Sequence, residues 1–144
     1  MRARMSSVST EAEVAGGVAA AADSAADNLQ HPRASKQTWV HSCCNDAKLK
    51  AALRNDAITA IEADIVYVND QPIMAHPPKR TSDLTFRSFL DQTLSAPQVK
   101  HLKLDFKELR AVEPCLAMLA ERAPELSARR QAIWLNADVI PGPN

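Results

Sequence analysis

The sequence predicts an α/β fold of parallel β/α units, four in number, amounting to the N-terminal half of a (β/α)8 TIM barrel. Three observations carry this expectation. Strand-like and helix-like segments alternate from Thr38 to Asp138, and alternation of that kind implies parallel strands joined by crossover helices. Three successive strands carry ionisable or amide side chains at every second position. A doubly wound open sheet would satisfy the alternation too, but its buried strands should be apolar on both faces. Polar residues converging from several strands are what a barrel active site requires. Finally, the segments amount to four β/α units, half of the eight that close a barrel.

Each element follows from local pattern. Thr38-Trp39-Val40-His41 reads as a short strand. Asn45 or Asp46 then caps a helix that puts Leu49, Ala52 and Leu53 on one face. Ala60 to Val68 is a β-branched run, Asn69-Asp70 a turn, and Gln71 to His76 a returning hairpin arm. Pro77-Pro78-Lys79-Arg80 is loop. Ser82 or Asp83 opens a second helix whose apolar stripe is Phe86, Phe89, Leu90 and Leu94. His101 to Lys107 is a further strand. Pro114 fits the first turn of the next helix, with Cys115, Leu116 and Leu119 toward the core. Ala132 to Asp138 is the last strand before Pro141-Gly142-Pro143 breaks the chain.

Composition narrows the function. The 144 residues carry 17 basic and 17 acidic side chains, a balance that argues against a nucleic-acid partner, whose recognition needs a basic face. The 3 glycines are Gly16, Gly17 and Gly142, so Val18 to Pro141 has none, which excludes P-loop and Rossmann phosphate loops. No apolar run reaches the roughly 18 residues of a transmembrane helix. Residues 1–36 form an Ala/Ser-rich head, expected to be disordered, and residues 37–144 form the barrel-half domain. Acids at Glu11, Glu13, Asp23 and Asp27 interrupt any signal-peptide stretch, so an intracellular location is the expectation. Cys43, Cys44 and Cys115 have no metal or disulfide spacing and read as small buried residues.

Side chains two apart on a strand share a face. Glu62 and Asp64 therefore lie together, opposite Ile61, Ala63 and Ile65. Lys103, Asp105 and Lys107 alternate with Leu102, Leu104 and Phe106, and Trp134, Asn136 and Asp138 with Ile133, Leu135 and Ala137. Two adjacent carboxylates withdrawn from water repel each other unless a cation or proton relieves them. A divalent ion on oxygen ligands is the natural relief, magnesium first and calcium as the alternative, with Asp105 able to supply a third oxygen. His41 and His76 end strands beside these acids and are placed to act as general base and general acid. Lys103, Asn136 and Asp138 are pocket residues by the same alternation, whereas His31 and His101 lack such a context.

His41, Glu62-x-Asp64 and His76 together resemble the core of the glycerophosphodiester phosphodiesterase-like superfamily of metal-bearing TIM barrels, the phospholipase-C-like phosphodiesterase type. More specifically, Trp39-Val-His41, Ile61-Glu-Ala-Asp-Ile65, Pro72-Ile-Met-Ala-His-Pro-Pro78, Leu102-Lys-Leu-Asp-Phe-Lys107, Ala111-Val-Glu-Pro114 and Trp134-Leu-Asn-Ala-Asp138 resemble the menorin family. That family is also called family with sequence similarity 151. The resemblance covers Thr38 to Asn144.

It implies metal ligands at Glu62, Asp64 and Asp105, acid–base or nucleophilic roles for His41 and His76, and phosphate or substrate contact for Lys107. The Asp105-x-Lys107 pair resembles the sphingomyelinase D-like branch more than the glycerophosphodiesterases. There are departures as well. Ser42-Cys43 follows His41 where glycerophosphodiesterases carry Arg-Gly, and Pro77 follows His76 where they carry an acid. Cys44-Asn45 stands where family members carry an asparagine. The resemblance thus implies a metal-dependent hydrolase or cyclase acting on a small phosphodiester or lipid headgroup, such as a glycerophosphodiester or lysophospholipid. The alternatives are a non-catalytic barrel scaffold with a protein partner, or an inactive, C-terminally truncated fragment.

Overall fold

A computed structural model of the chain describes residues 32–137. What is expected of residues 1–31 and 138–144, Asp138 included, lies outside the described residues. The strands are β1 (Trp39–Val40), β2 (Ala60–Val68), β3 (Gln71–Met74), β4 (His101–Phe106) and β5 (Ile133–Ala137). The helices are α1 (Asp46–Arg54), α2 (Phe86–Ser95), α3 (Leu109–Glu121) and α4 (Ala123–Ala128), and a 3-10 turn at Ala34–Lys36 precedes β1. One sheet runs β1-β2-β4-β5, with every neighbouring pair parallel, while β3 pairs antiparallel with β2. A mixed α/β architecture around a parallel sheet is therefore correct.

The period-2 pattern of β2 and β4 fixes which way the sheet faces. Ile61, Ala63, Ile65, Leu102, Leu104 and Phe106 are buried against Leu49 of α1, Phe86, Phe89 and Leu90 of α2, and Cys115 of α3. Each such Leu, Ile or Phe removed from water contributes about 1.5–3 kcal/mol. That drive leaves Glu62, Asp64, Lys103 and Asp105 no choice but the opposite face. Asn45 caps α1, its side chain accepting the Lys48 N–H at 2.8 Å. The β2–β3 hairpin closes on two residues, with Val68 opposite Gln71. Asn69 (φ 48°) and Asp70 (φ 58°) both take the left-handed conformation that a tight hairpin turn needs, and Asn and Asp tolerate it best after glycine.

Three local expectations are corrected. First, α2 begins after Thr85, whose side chain accepts the Ser88 N–H, and not at Ser82 or Asp83. Those two are committed elsewhere: the Ser82 hydroxyl donates to the Cys44 carbonyl and accepts from Leu84 N–H, and Asp83 accepts from Asp46 N–H. Second, Pro114 sits inside α3 rather than in its first turn, because the helix starts five residues earlier at Leu109. Third, Leu116 is 42% exposed, and Ala111 joins Cys115 on the buried stripe, the i, i+4 spacing of a helix that starts at Leu109. A short helix, α4, also follows α3, in a stretch to which the sequence pattern assigned no element.

Entry into β4 is held by Lys100, a fully buried lysine absent from the sequence reading. Its ammonium donates to the carbonyls of Asn55 (2.8 Å) and Ile58 (2.6 Å) and to Gln98 Oε1 (3.2 Å). Burial would be prohibitive without those acceptors.

Candidate metal centre

The parallel register lines up the polar face in rows. Glu62 pairs with Lys103 and Asp64 with Asp105 across β2–β4, and Asp105 pairs with Asn136 across β4–β5. Asp64 and Asp105 are 2% and 6% exposed, so two carboxylates face each other with little water to separate them. Each of Glu62, Asp64 and Asp105 offers an oxygen, and all three oxygens lie within 4.8 Å of one another. An all-oxygen donor set of that spacing fits a hard divalent cation.

The cluster is compensated from several sides. Lys107 Nζ lies 2.8 Å from Asp105 Oδ2 and 3.5 Å from Asp64 Oδ1. Lys103 Nζ lies 3.6 Å from Glu62 Oε1. Asn136 Nδ2 donates to Asp105 Oδ1 at 3.0 Å. His41 donates from Nδ1 to Glu62 Oε2. Burial pushes the Glu62 carboxyl up, but His41 and the Lys103 ammonium together outweigh it and hold the group below the usual glutamate range.

His41 reaches Glu62 because the chain turns sharply at Ser42 (φ 49°), after which Cys43 N–H donates to the Glu62 carbonyl at 2.9 Å. His76 follows Ala75, whose N–H donates to the Asp64 carbonyl at 3.0 Å. Its side chain is exposed, with Nδ1 2.6 Å from the Pro77 carbonyl oxygen. Of the expected residues, His41, Glu62 and Lys103 thus form one contacting group and Asp64, Asp105, Lys107 and Asn136 another. An oxygen from each of Glu62, Asp64 and Asp105 lies within 4.8 Å of the others, and His76 sits beside the second group through the backbone at Asp64. Trp39 and Trp134 lean across the same face, their ring centroids 5.5 Å apart.

One member escaped the sequence reading. Cys43 is buried among apolar groups, its thiol pushed up to about 12 by burial. Cys44, by contrast, turns its thiol to Asp64, with Sγ 3.5 Å from Oδ2. Burial raises that thiol to about 11, so at neutral pH it is a proton donor to the carboxylate and not a nucleophile. Nothing in the bare sequence separates two adjacent cysteines. The signal lies in the turn at Ser42, which ends the strand alternation just before them.

The Menorin N-terminal domain model matches residues 34–144. The chain belongs to the menorin family. Human Protein FAM151B, a menorin-family relative, is 39% identical over 112 residues, a match covering 74% of this chain and 38% of the human protein. The chain therefore spans well under half the length of that relative. No solved structure matches. Among the described residues of this menorin-family chain, no helix is long and apolar enough to cross a membrane.

Proposed function

We propose that the polar face is a divalent-metal, phosphodiesterase-type site that hydrolyses or cyclises a glycerophosphodiester or lysophospholipid headgroup. The observation that carries this reading is the convergence of Glu62, Asp64 and Asp105 oxygens within 4.8 Å, with His41 hydrogen-bonded to the first of them. Glu62, Asp64 and Asp105 would hold the cation, magnesium or calcium by donor type. When bound, such an ion polarises phosphoryl oxygens and offsets the charge that builds on them.

The remaining chemistry belongs to the chain's own side chains. His41 is oriented through Nδ1 by Glu62, and His76 through Nδ1 by Pro77, so each presents Nε2 for proton transfer. One imidazole takes the proton of the attacking hydroxyl, from water or from the substrate, and the other returns a proton to the leaving oxygen. Lys103 and Lys107 supply positive charge toward a phosphate. The strand order β1-β2-β4-β5 and the meeting of Trp39 with Trp134 support reading the sheet as half of a (β/α)8 barrel.

The test is phosphorus NMR of glycerophosphocholine and lysophosphatidylcholine incubated with the protein in magnesium or EDTA. New phosphate signals in magnesium, absent in EDTA and lost in Glu62→Gln, are expected. A folded protein that leaves every phosphodiester intact would sink the enzymatic reading. It would leave a non-catalytic scaffold or an inactive fragment as the readings.

A further inference from the structure

Asp64 and Asp105 occupy directly paired positions on neighbouring parallel strands and are almost excluded from water. Two like charges so placed need a positive charge between them, and Lys107 provides it. Its ammonium touches Asp105 Oδ2 at 2.8 Å and Asp64 Oδ1 at 3.5 Å, bridging the same two carboxylates that a divalent cation would use. The backbone of Lys107 is fixed, since its N–H donates to the Ile65 carbonyl at 2.9 Å. Its side chain is 15% exposed, so the ammonium is not sealed from solvent.

We infer that Lys107 is the internal counter-ion of this site: its ammonium and a divalent cation bind Asp64 and Asp105 in competition, and Lys107 swings outward when the cation enters. This inference rests on the metal-site reading above and adds how the site is regulated. An ammonium and a divalent cation on the same carboxylate pair repel each other at short range, and that repulsion weakens the hold of each on the acids. The ammonium offsets the charge of the acid pair without metal, and it sets a threshold that the cation must exceed. Once released, the same charge stands at the mouth of the site, where an anionic phosphoryl group would meet it. Lys103 differs: it is 37% exposed and lies 3.6 Å from Glu62.

The test is Mn2+ titration by calorimetry, with thermal unfolding in EDTA and in Mn2+, on the full chain and on Lys107→Met, Lys107→Gln, Lys103→Met and Asp105→Asn. Removing the competitor should tighten Mn2+ binding by roughly tenfold or more. The Lys107 variants should also melt lower than wild type in EDTA and gain more from Mn2+. Lys103→Met should change both readings less. If Asp105→Asn abolishes Mn2+ binding while both Lys107 variants bind no tighter than wild type, the counter-ion inference falls and the metal site stands. If neither wild type nor the Lys107 variants bind Mn2+, both readings fall. Lys107→Gln keeps a polar side chain in the site in case Lys107→Met does not fold. If neither variant folds and Mn2+ rescues neither, competition is overturned in favour of a purely structural ammonium.

Discussion

At the residue scale, His101 shows how an ionisable group on the polar face can serve the fold. Its Nδ1 accepts the Ala132 N–H at 3.2 Å, and its ring meets Trp134 edge-on at 6.0 Å. Burial lowers its pKa, and an acceptor role also requires the neutral imidazole. The unfolded chain therefore binds a proton first as pH falls. Stability is complete above the unfolded value of about 6.5 and declines as pH drops through the window below it. His101→Gln keeps an acceptor without the titration, so urea unfolding between pH 7 and pH 5 should show a smaller loss than wild type. An equal loss in both would clear His101 of the effect. In sequence, His41, His76 and His101 all stand at strand ends. What separates them is the partner of Nδ1: a carboxylate for His41, the next carbonyl for His76, the Ala132 amide just before β5 for His101.

Among the elements, the hairpin turn carries the sharpest prediction. Asp70 holds φ 58° without being glycine, a conformation that costs an L-residue roughly 1–2 kcal/mol, less for Asp. Asp70→Gly creates the Asn-Gly pair that two-residue hairpins favour. It should raise stability by a few tenths to about 1 kcal/mol in denaturant titration; a loss would mean that the Asp70 side chain makes a contact worth more than the strain. The strands were legible because period 2 survives any context: the alternation in Ile61–Ile65 and Leu102–Phe106 alone dictated both the core and the site face. Helix starts were less so. Ser82, Asp83 and Thr85 are all good caps by residue type, and the choice among them depends on hydrogen bonds to Cys44 and Asp46, some 40 residues away. Pro114 misled for a related reason, since its preference for first turns yields to the packing of Ala111 and Cys115 on one stripe.

For the whole molecule, the outer strand matters most. Among the described residues β5 pairs with β4 alone, and Leu135 on its outward run is 53% exposed. An apolar edge strand is a template for association with other chains, and a charged residue blunts it. Leu135→Lys should reduce light scattering of concentrated protein while shifting stability by no more than about 0.5 kcal/mol. Unchanged scattering would locate self-association elsewhere, with Leu109 and Leu116 as the other exposed large apolar residues among those described. Membership of the menorin family was legible from strand motifs because they hold the site residues in fixed alternation. Charge compensation was not, since the contacts of Lys107 with Asp64 and of Asn136 with Asp105 exist only once three strands are in register.

The two tryptophans add a practical consequence. They are the chain's full complement of that residue, they come from β1 and β5 at opposite ends of the sheet order, and their indoles meet at 5.5 Å. The molecule thus carries a native optical ruler. Coupling between the two indoles, seen as near-ultraviolet dichroism, reports the native approach of β1 and β5 across the sheet without any added label.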